Sequence, residues 1–293
     1  MAKHMRKQAT GQPAQTAGQP APTTAPRRGA QARHLKPKTS ASATPLSPAP
    51  VSPAPVAPAA HPAHTELVFK RYEVKYLIDS GQRARLERLM AAHMVPDEHG
   101  ASTVCNVYYD TPTLLLARRS ADHPYYKEKI RTRCYGVHDG RSPVFVELKK
   151  KCDGVVYKRR CTLSPAQAHA LIAGKRQPQT QIEREIAYAC RRYEGLRPVA
   201  FIAYDRRAYY GRDDHDFRMT FDTNVRARWE RLRLDAGADG APVTPAGISV
   251  LEVKTTGAMP LWLTRFLAEE GIRKTSFSKY GTACKQRLAR AAA

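Results

Sequence analysis

A chain of 293 residues with 42% hydrophobic content is long enough to bury one substantial core, and its net charge of +23 calls for an anionic partner. No stretch approaches the roughly 20 apolar residues that span a bilayer. Nucleic acid is the commonest explanation of such a charge, but no helix-turn-helix, zinc-knuckle or RNP signature is present, which disfavours it.

Residues 1–64 hold 12 of the 22 prolines and eight Lys or Arg, with no Asp or Glu. Such a segment cannot bury enough apolar surface to offset its ordering entropy, so a disordered tail is expected, followed by one domain over residues 65–293. The tail reads either as a tether for anionic polymer or lipid or as a plain linker. It lacks the apolar core of a secretory signal peptide, so the expected location is cytoplasmic, with any membrane coupling supplied by a partner protein.

Past the tail, period-two stripes recur. Phe69 to Leu77 carries Arg71, Glu73 and Lys75 on one face, and Lys127 to Tyr135 carries Lys127, Lys129, Arg131 and Arg133. Val144 to Lys151 alternates Val144, Val146, Leu148 and Lys150 against Phe145, Glu147, Lys149 and Lys151; Cys152-Asp153-Gly154 then turns the chain back through Val155 to Arg160 as a hairpin. Ala203 to Tyr209 holds Tyr204 and Arg206 on one face and Asp205 and Arg207 on the other. Phe217 to Thr223 holds Arg218, Thr220 and Asp222, and Val250 to Lys254 holds Glu252 and Lys254. Asn106 to Asp110 reads as a further strand. Helices are expected from Asp79-Ser80 to about His93, over Pro112 to Arg118, from Ser164-Pro165 to Ile172, over Thr180 to Arg192, over Pro260 to Glu270 and from Ser278 to about Ala289, with a loop at Asp235 to Gly247.

One charged stripe is most simply a solvated sheet face. Seven strands of the same design are not, because like charges spread over exposed faces repel one another without gain. A closed antiparallel barrel of about eight strands with flanking helices, an α+β fold, lets those stripes line a tunnel filled by a polyanion and metal ions. The six cysteines, Cys105, Cys134, Cys152, Cys161, Cys190 and Cys284, lack C-x-x-C spacing and are expected to be reduced and mostly buried. The histidines show no paired metal spacing.

The pairs Glu147-x-Lys149 and Glu252-x-Lys254, the run Lys129-x-Arg131-x-Arg133, Tyr204-x-Arg206 and the closing Ser278-Lys279-Tyr280 resemble the triphosphate tunnel metalloenzymes, the CYTH-like superfamily. Within it the chain most resembles the VTC polyphosphate polymerase domain, over about Leu67 to Arg287. Hydrolytic and cyclase members open with Glu-x-Glu-x-Lys, whereas this chain has Arg71-x-Glu73-x-Lys75, a departure that favours the polymerase branch.

The resemblance implies a polymerase moving the γ-phosphoryl of ATP onto a growing polyphosphate chain. It implies phosphate-binding roles for Lys75, Arg131, Arg133, Lys149, Lys158, Arg206, Arg218 and Lys279, with Lys129, Tyr204, Ser278 and Lys254 as further substrate contacts. It also implies Mn²⁺ or Mg²⁺ on Glu252. Glu73 and Glu147 are either further metal ligands or counterions that hold the cations in place. The alternatives are a triphosphatase of the same fold and a non-catalytic polyphosphate- or nucleic-acid-binding module. A carboxylate in the lumen gains nothing for a pure anion binder, which favours an enzyme.

Overall fold

The computed structural model describes residues 72–121, 125–153 and 155–292. The expected tail, and Arg71 with it, lie outside the described residues. In chain order the elements are β1 (Tyr72–Ile78), α1 (Ser80–Met90), β2 (Met94–Asp110), α2 (Leu115–Ala121), β3 (Tyr126–Tyr135), β4 (Val144–Cys152), β5 (Val155–Leu163), α3 (Pro165–Ile172), α4 (Gln181–Arg191), β6 (Arg197–Gly211), β7 (Arg218–Arg228), β8 (Ala241–Pro242), β9 (Ser249–Thr255), α5 (Leu261–Glu269), β10 (Lys274–Thr275) and α6 (Lys279–Ala292). Three helices start where their side chains cap them. Asp79 and Ser164 each form a reciprocal capping box, with Gln82 and Gln167, and Thr180 accepts from the Glu183 amide.

All ten strands join one antiparallel sheet in the order β10-β1-β9-β7-β6-β2-β3-β4-β5, with β8 added beside β7. This corrects the closed barrel of about eight strands: among the described residues β5 and β10 are end strands, and no backbone ladder joins them. The sheet nevertheless curls until strands near its two ends meet through side chains. Lys149 of β4 reaches Glu73 of β1 at 3.1 Å, and Lys129 of β3 reaches Ser278 at the head of α6 at 2.8 Å.

Strand alternation splits the packing into an outside and an inside. Outside, Cys105, Ile130, Val146, Leu148 and Phe201 pack under α3 and α4, while Tyr76, Met219, Phe221, Leu251 and Val253 pack under α1 and α5. Inside, one end is filled by an apolar cluster that includes Val104, Tyr108, Ile202, Tyr204, Val225 and Val250, closed by Tyr280, Ala283 and Cys284 of α6. Asp110 ties this end together: its buried carboxylate accepts from the Leu116 and Ala117 amides, both at 2.9 Å, and from the Tyr280 hydroxyl at 2.7 Å. The rest of the interior is charged.

Two elements are longer than the sequence stripes imply. β2 begins at Met94 rather than Asn106, and its first half holds Pro96, Asp97 and Gly100, which spoil the period and coincide with a register shift between Pro96 and Ala101. β6 begins at Arg197 rather than Ala203, with Pro198 beside the second shift. α2 starts at Leu115 rather than Pro112, because Thr111 to Leu114 forms a turn with Leu114 at φ 55°. The expected loop at Asp235 to Gly247 contains the two-residue β8. All six cysteines are free; four are buried and Cys152 and Cys161 are half-buried.

Candidate active site

Register turns the period-two stripes into rows across the concave face. On β3, β4 and β5 the rows are Lys127 beside Lys151, then Lys129, Lys149 and Lys158, then Arg131, Glu147 and Arg160. On β1, β9, β7 and β6 they are Glu73, Lys254, Arg218 and Tyr210, then Lys75, Glu252 and Thr220, with Asp222 beside Arg206 at the next level. The two grids face each other across the interior.

Glu147 is the hub of the first grid. One carboxylate oxygen takes Arg131 at 2.7 Å and lies 3.8 Å from Arg133; the other takes Lys158 at 2.9 Å and Arg160 at 2.7 Å. Burial alone would raise its pKa, but these four cations hold the carboxyl far below the usual carboxylate range. Both Glu147 oxygens are thus already engaged by cations. Arg131 also contacts the Tyr108 hydroxyl at 2.8 Å, and Arg133 reaches Asn106 at 2.8 Å and the Tyr204 hydroxyl at 2.9 Å. Burial would raise the Tyr108 phenol, but Arg131 and Arg133 bring it below its ordinary value.

Glu252 and Asp222 form the second hub. Glu252 lies 3.1 Å from Lys279, 3.3 Å from Lys75, 3.4 Å from Arg206 and 3.6 Å from Lys254. Asp222 takes the Arg206 guanidinium as a two-point fork at 2.6 and 2.7 Å and the Lys279 ammonium at 2.5 Å. Against a burial penalty, Lys279, Lys75 and Arg206 hold Glu252 well below the carboxylate range. Lys279 is correspondingly raised by Asp222 and Glu252 despite its burial. Glu73 bridges Lys149 and Lys75; burial opposes its charge, yet Lys149 and Lys75 hold it down to about 2.

The third feature is an excess of positive charge. Burial, then Lys75, Lys149, Lys127 and Arg131, push the Lys129 ammonium down to about 7. Burial lowers Lys254 as well, and pushes Lys158 to about 8 even with Glu147 beside it.

The structure thus brings Lys75, Lys129, Arg131, Arg133, Lys149, Lys158, Tyr204, Arg206, Lys254, Ser278 and Lys279 to the interior together with Glu73, Glu147 and Glu252. Arg218 shares their face but sits exposed at the start of β7, donating to the His215 carbonyl at 3.3 Å. Four residues of the ion-pair and hydrogen-bond network escaped the sequence reading as site residues. Asp222 and Arg160 stand two positions from Thr220 and Lys158 in the same stripes, so the period alone could have nominated them. Asn106 and Tyr108 lie on β2, where alternation is visible but nothing local tells which face is inward.

The donor set also bears on a metal. Among the described residues no group of three or more His, Cys, Asp or Glu side chains could cage an ion. Of the two buried hydroxyls without a hydrogen-bond partner among the described residues, Ser120 and Thr220, the second lies directly across from Glu252 on the neighbouring strand. A carboxylate and a hydroxyl fit a hard ion such as Mg²⁺ or Mn²⁺ that completes its shell with phosphate oxygens and water.

No helix among the described residues is long and apolar enough to cross a membrane. A search of curated proteins finds no match. Among solved structures, the chain is similar to a putative adenylyl cyclase from Hippeastrum described as having a dominant triphosphatase activity, at 15% identity and TM-score 0.47 over 71% of this chain and 92% of that one. It is also similar to putative adenylate cyclases from Bacillus halodurans (13% identity, TM-score 0.43, 70% of this chain and 92% of that one) and Vibrio parahaemolyticus (10%, 0.40, 74% and 98%). The alternating basic stripes, folded into two facing grids around Glu147 and Glu252, occupy the same stretch that the VTC domain matches, residues 70–287, and the chain belongs to that family.

Proposed function

We propose that this domain is a metal-dependent polyphosphate polymerase that transfers the γ-phosphoryl of ATP to a growing polyphosphate chain lying in its charged interior. The observation that carries this reading is the row Lys129, Lys149 and Lys158 beside the pair Lys127 and Lys151, ammonium groups facing one another on adjacent strands, for which the described residues offer just two carboxylates, Glu73 and Glu147, besides the Ser278 hydroxyl and the Ser120 carbonyl. Like charges directly opposite one another destabilise a sheet. A linear polyanion reverses that sign, since each phosphate replaces a repulsion by charge-assisted contacts of about 1.5–3 kcal/mol.

Phosphoryl transfer asks little covalent help from a protein; it asks that donor and acceptor phosphates be held in line and their charge neutralised. Arg131, Arg133 and Arg206 present planar forks suited to phosphate oxygens, and each already holds its guanidinium in place through Glu147, Asn106 or Asp222. Glu252 and Thr220 would hold the ion, which when bound neutralises charge on the transferring group. Retention of Glu252 amid four cations favours an enzyme over an anion-binding module.

A triphosphatase is the second reading. It is favoured by the apolar cluster under α6, which shortens the charged interior at one end and suits a short substrate. Incubation with ATP and Mn²⁺ or Mg²⁺ separates the two. A ladder of polyphosphate on a gel is the expected result; inorganic phosphate alone would replace the polymerase by the triphosphatase, and neither product would leave only binding.

A further inference from the structure

The head of α6 carries a pairing that phosphate binding does not require. Ser278 caps this helix, its Oγ accepting the Gly281 amide at 3.1 Å. The same oxygen lies 2.8 Å from Nζ of Lys129, which reaches it from β3. Among the described residues Lys129 pairs with no carboxylate, and the charges that act on it most are cationic: Lys75, Lys149, Lys127 and Arg131. A buried amine crowded by cations releases its proton readily, and a neutral amine beside a hydroxyl is a base positioned on a nucleophile.

We infer that Ser278 is a phosphoryl acceptor: the terminal phosphoryl group of a nucleoside triphosphate in the charged interior passes to its hydroxyl, with Lys129 taking the proton. This rests on the reading of the interior as a nucleotide and polyphosphate site. In the step a bond forms between Ser278 Oγ and the γ-phosphorus, the bridging bond to the β-phosphate breaks, and the nucleoside diphosphate leaves with that electron pair. The hydroxyl proton goes to the Lys129 amine, and the approaching anion raises that amine's affinity for it. No oxidant or further reactant is needed. The product is a phosphoserine at the N-terminus of a 14-residue helix, where the helix dipole and the nearby ammonium groups stabilise its charge. Such a phosphomonoester is also a chain end fixed inside the interior, to which a second phosphoryl group can be added.

The experiment is rapid quenching of the full chain with ATP and Mg²⁺ or Mn²⁺, followed by intact mass and peptide mapping, with nucleotide turnover measured in parallel. The expected result is one acid-stable phosphoryl group on the peptide containing Ser278, lost in Ser278→Ala and kept in Ser278→Thr, which preserves both cap and hydroxyl. Lys129→Met should slow labelling by roughly a hundredfold or more, as for loss of a general base. Lys129→Arg, which keeps the charge but cannot accept a proton, should do the same. In the unaltered chain labelling should rise as pH increases through about 7, where the Lys129 amine becomes neutral. Turnover with an unmodified Ser278 peptide overturns the inference and leaves the polymerase reading standing. Labelling of Ser278 without further turnover supports the inference and overturns polymerisation. Neither label nor turnover overturns both, and labelling unchanged in Lys129→Met removes Lys129 from the step.

Discussion

Glu252 collects four cations from four different elements, so one substitution there tests both the ion and the electrostatics. Glu252→Gln keeps the shape and removes the charge. Turnover should fall by roughly a hundredfold or more, the worth of several kcal/mol at the transferring group. Tripolyphosphate affinity, measured by calorimetry, should be kept or rise, because Lys75 and Lys279 are then released to the ligand. Unchanged turnover would move the ion away from Glu252. Lys158 gives a pH dependence with a fixed sign: its amine, brought to about 8 by burial despite Glu147, is charged below that value and neutral above it. Affinity for tripolyphosphate should therefore weaken by about fivefold as pH rises through about 8, the size of a partly exposed ion-pair contact. Lys158→Arg should abolish that part of the slope, since a guanidinium stays charged. A slope of the opposite sign would show that Lys158 does not meet the ligand.

At the scale of elements, the stripes were legible in the sequence because side-chain alternation is a local property of a strand. Lys127 to Arg133, Val144 to Lys151 and Glu252 with Lys254 all face where their period puts them. What was not legible is set by pairing partners distant in sequence. Nothing local tells that Arg160 shares the Glu147 carboxylate, that Asp222 forks Arg206 and meets Lys279, or that β2 runs on from Met94 across a bulge. Asp110 is the clearest case. It reads as the polar end of a strand, yet it caps α2 and anchors α6 through Tyr280. Asp110→Ala takes the acceptor from three amides, those of Thr111, Leu116 and Ala117, and from a buried phenol, and should cost about 3 kcal/mol by denaturant titration. A loss within about 0.5 kcal/mol, the range of ordinary surface changes, would mean that α6 is held by its apolar face alone.

At the scale of the molecule, the sheet's outer face is covered in the usual way, by helices over apolar residues, and the inner face is what is unusual. On the proposed function, ion pairs stand there where a polyanion's oxygens would, so ligand binding would exchange one set of counterions for another instead of filling an empty hole. The curl that makes this possible is finished by side chains: Lys149 on Glu73 brings β4 to β1, and Lys129 on Ser278 brings β3 to the head of α6, while among the described residues no backbone ladder runs between β5 and β10. Those contacts involve groups that phosphate would itself engage, so the ligand competes for the fastening. In topological language this makes the site a slot and not a ring. A ring admits a polymer only by its free end, whereas a slot lets a long chain be laid in sideways at any point along its length. Polyphosphate with a bulky ester at both termini should accordingly bind with the same affinity and a similar association rate as the free-ended polymer, measured by competition against labelled tripolyphosphate. Exclusion of the doubly blocked polymer would show that the seam stays shut.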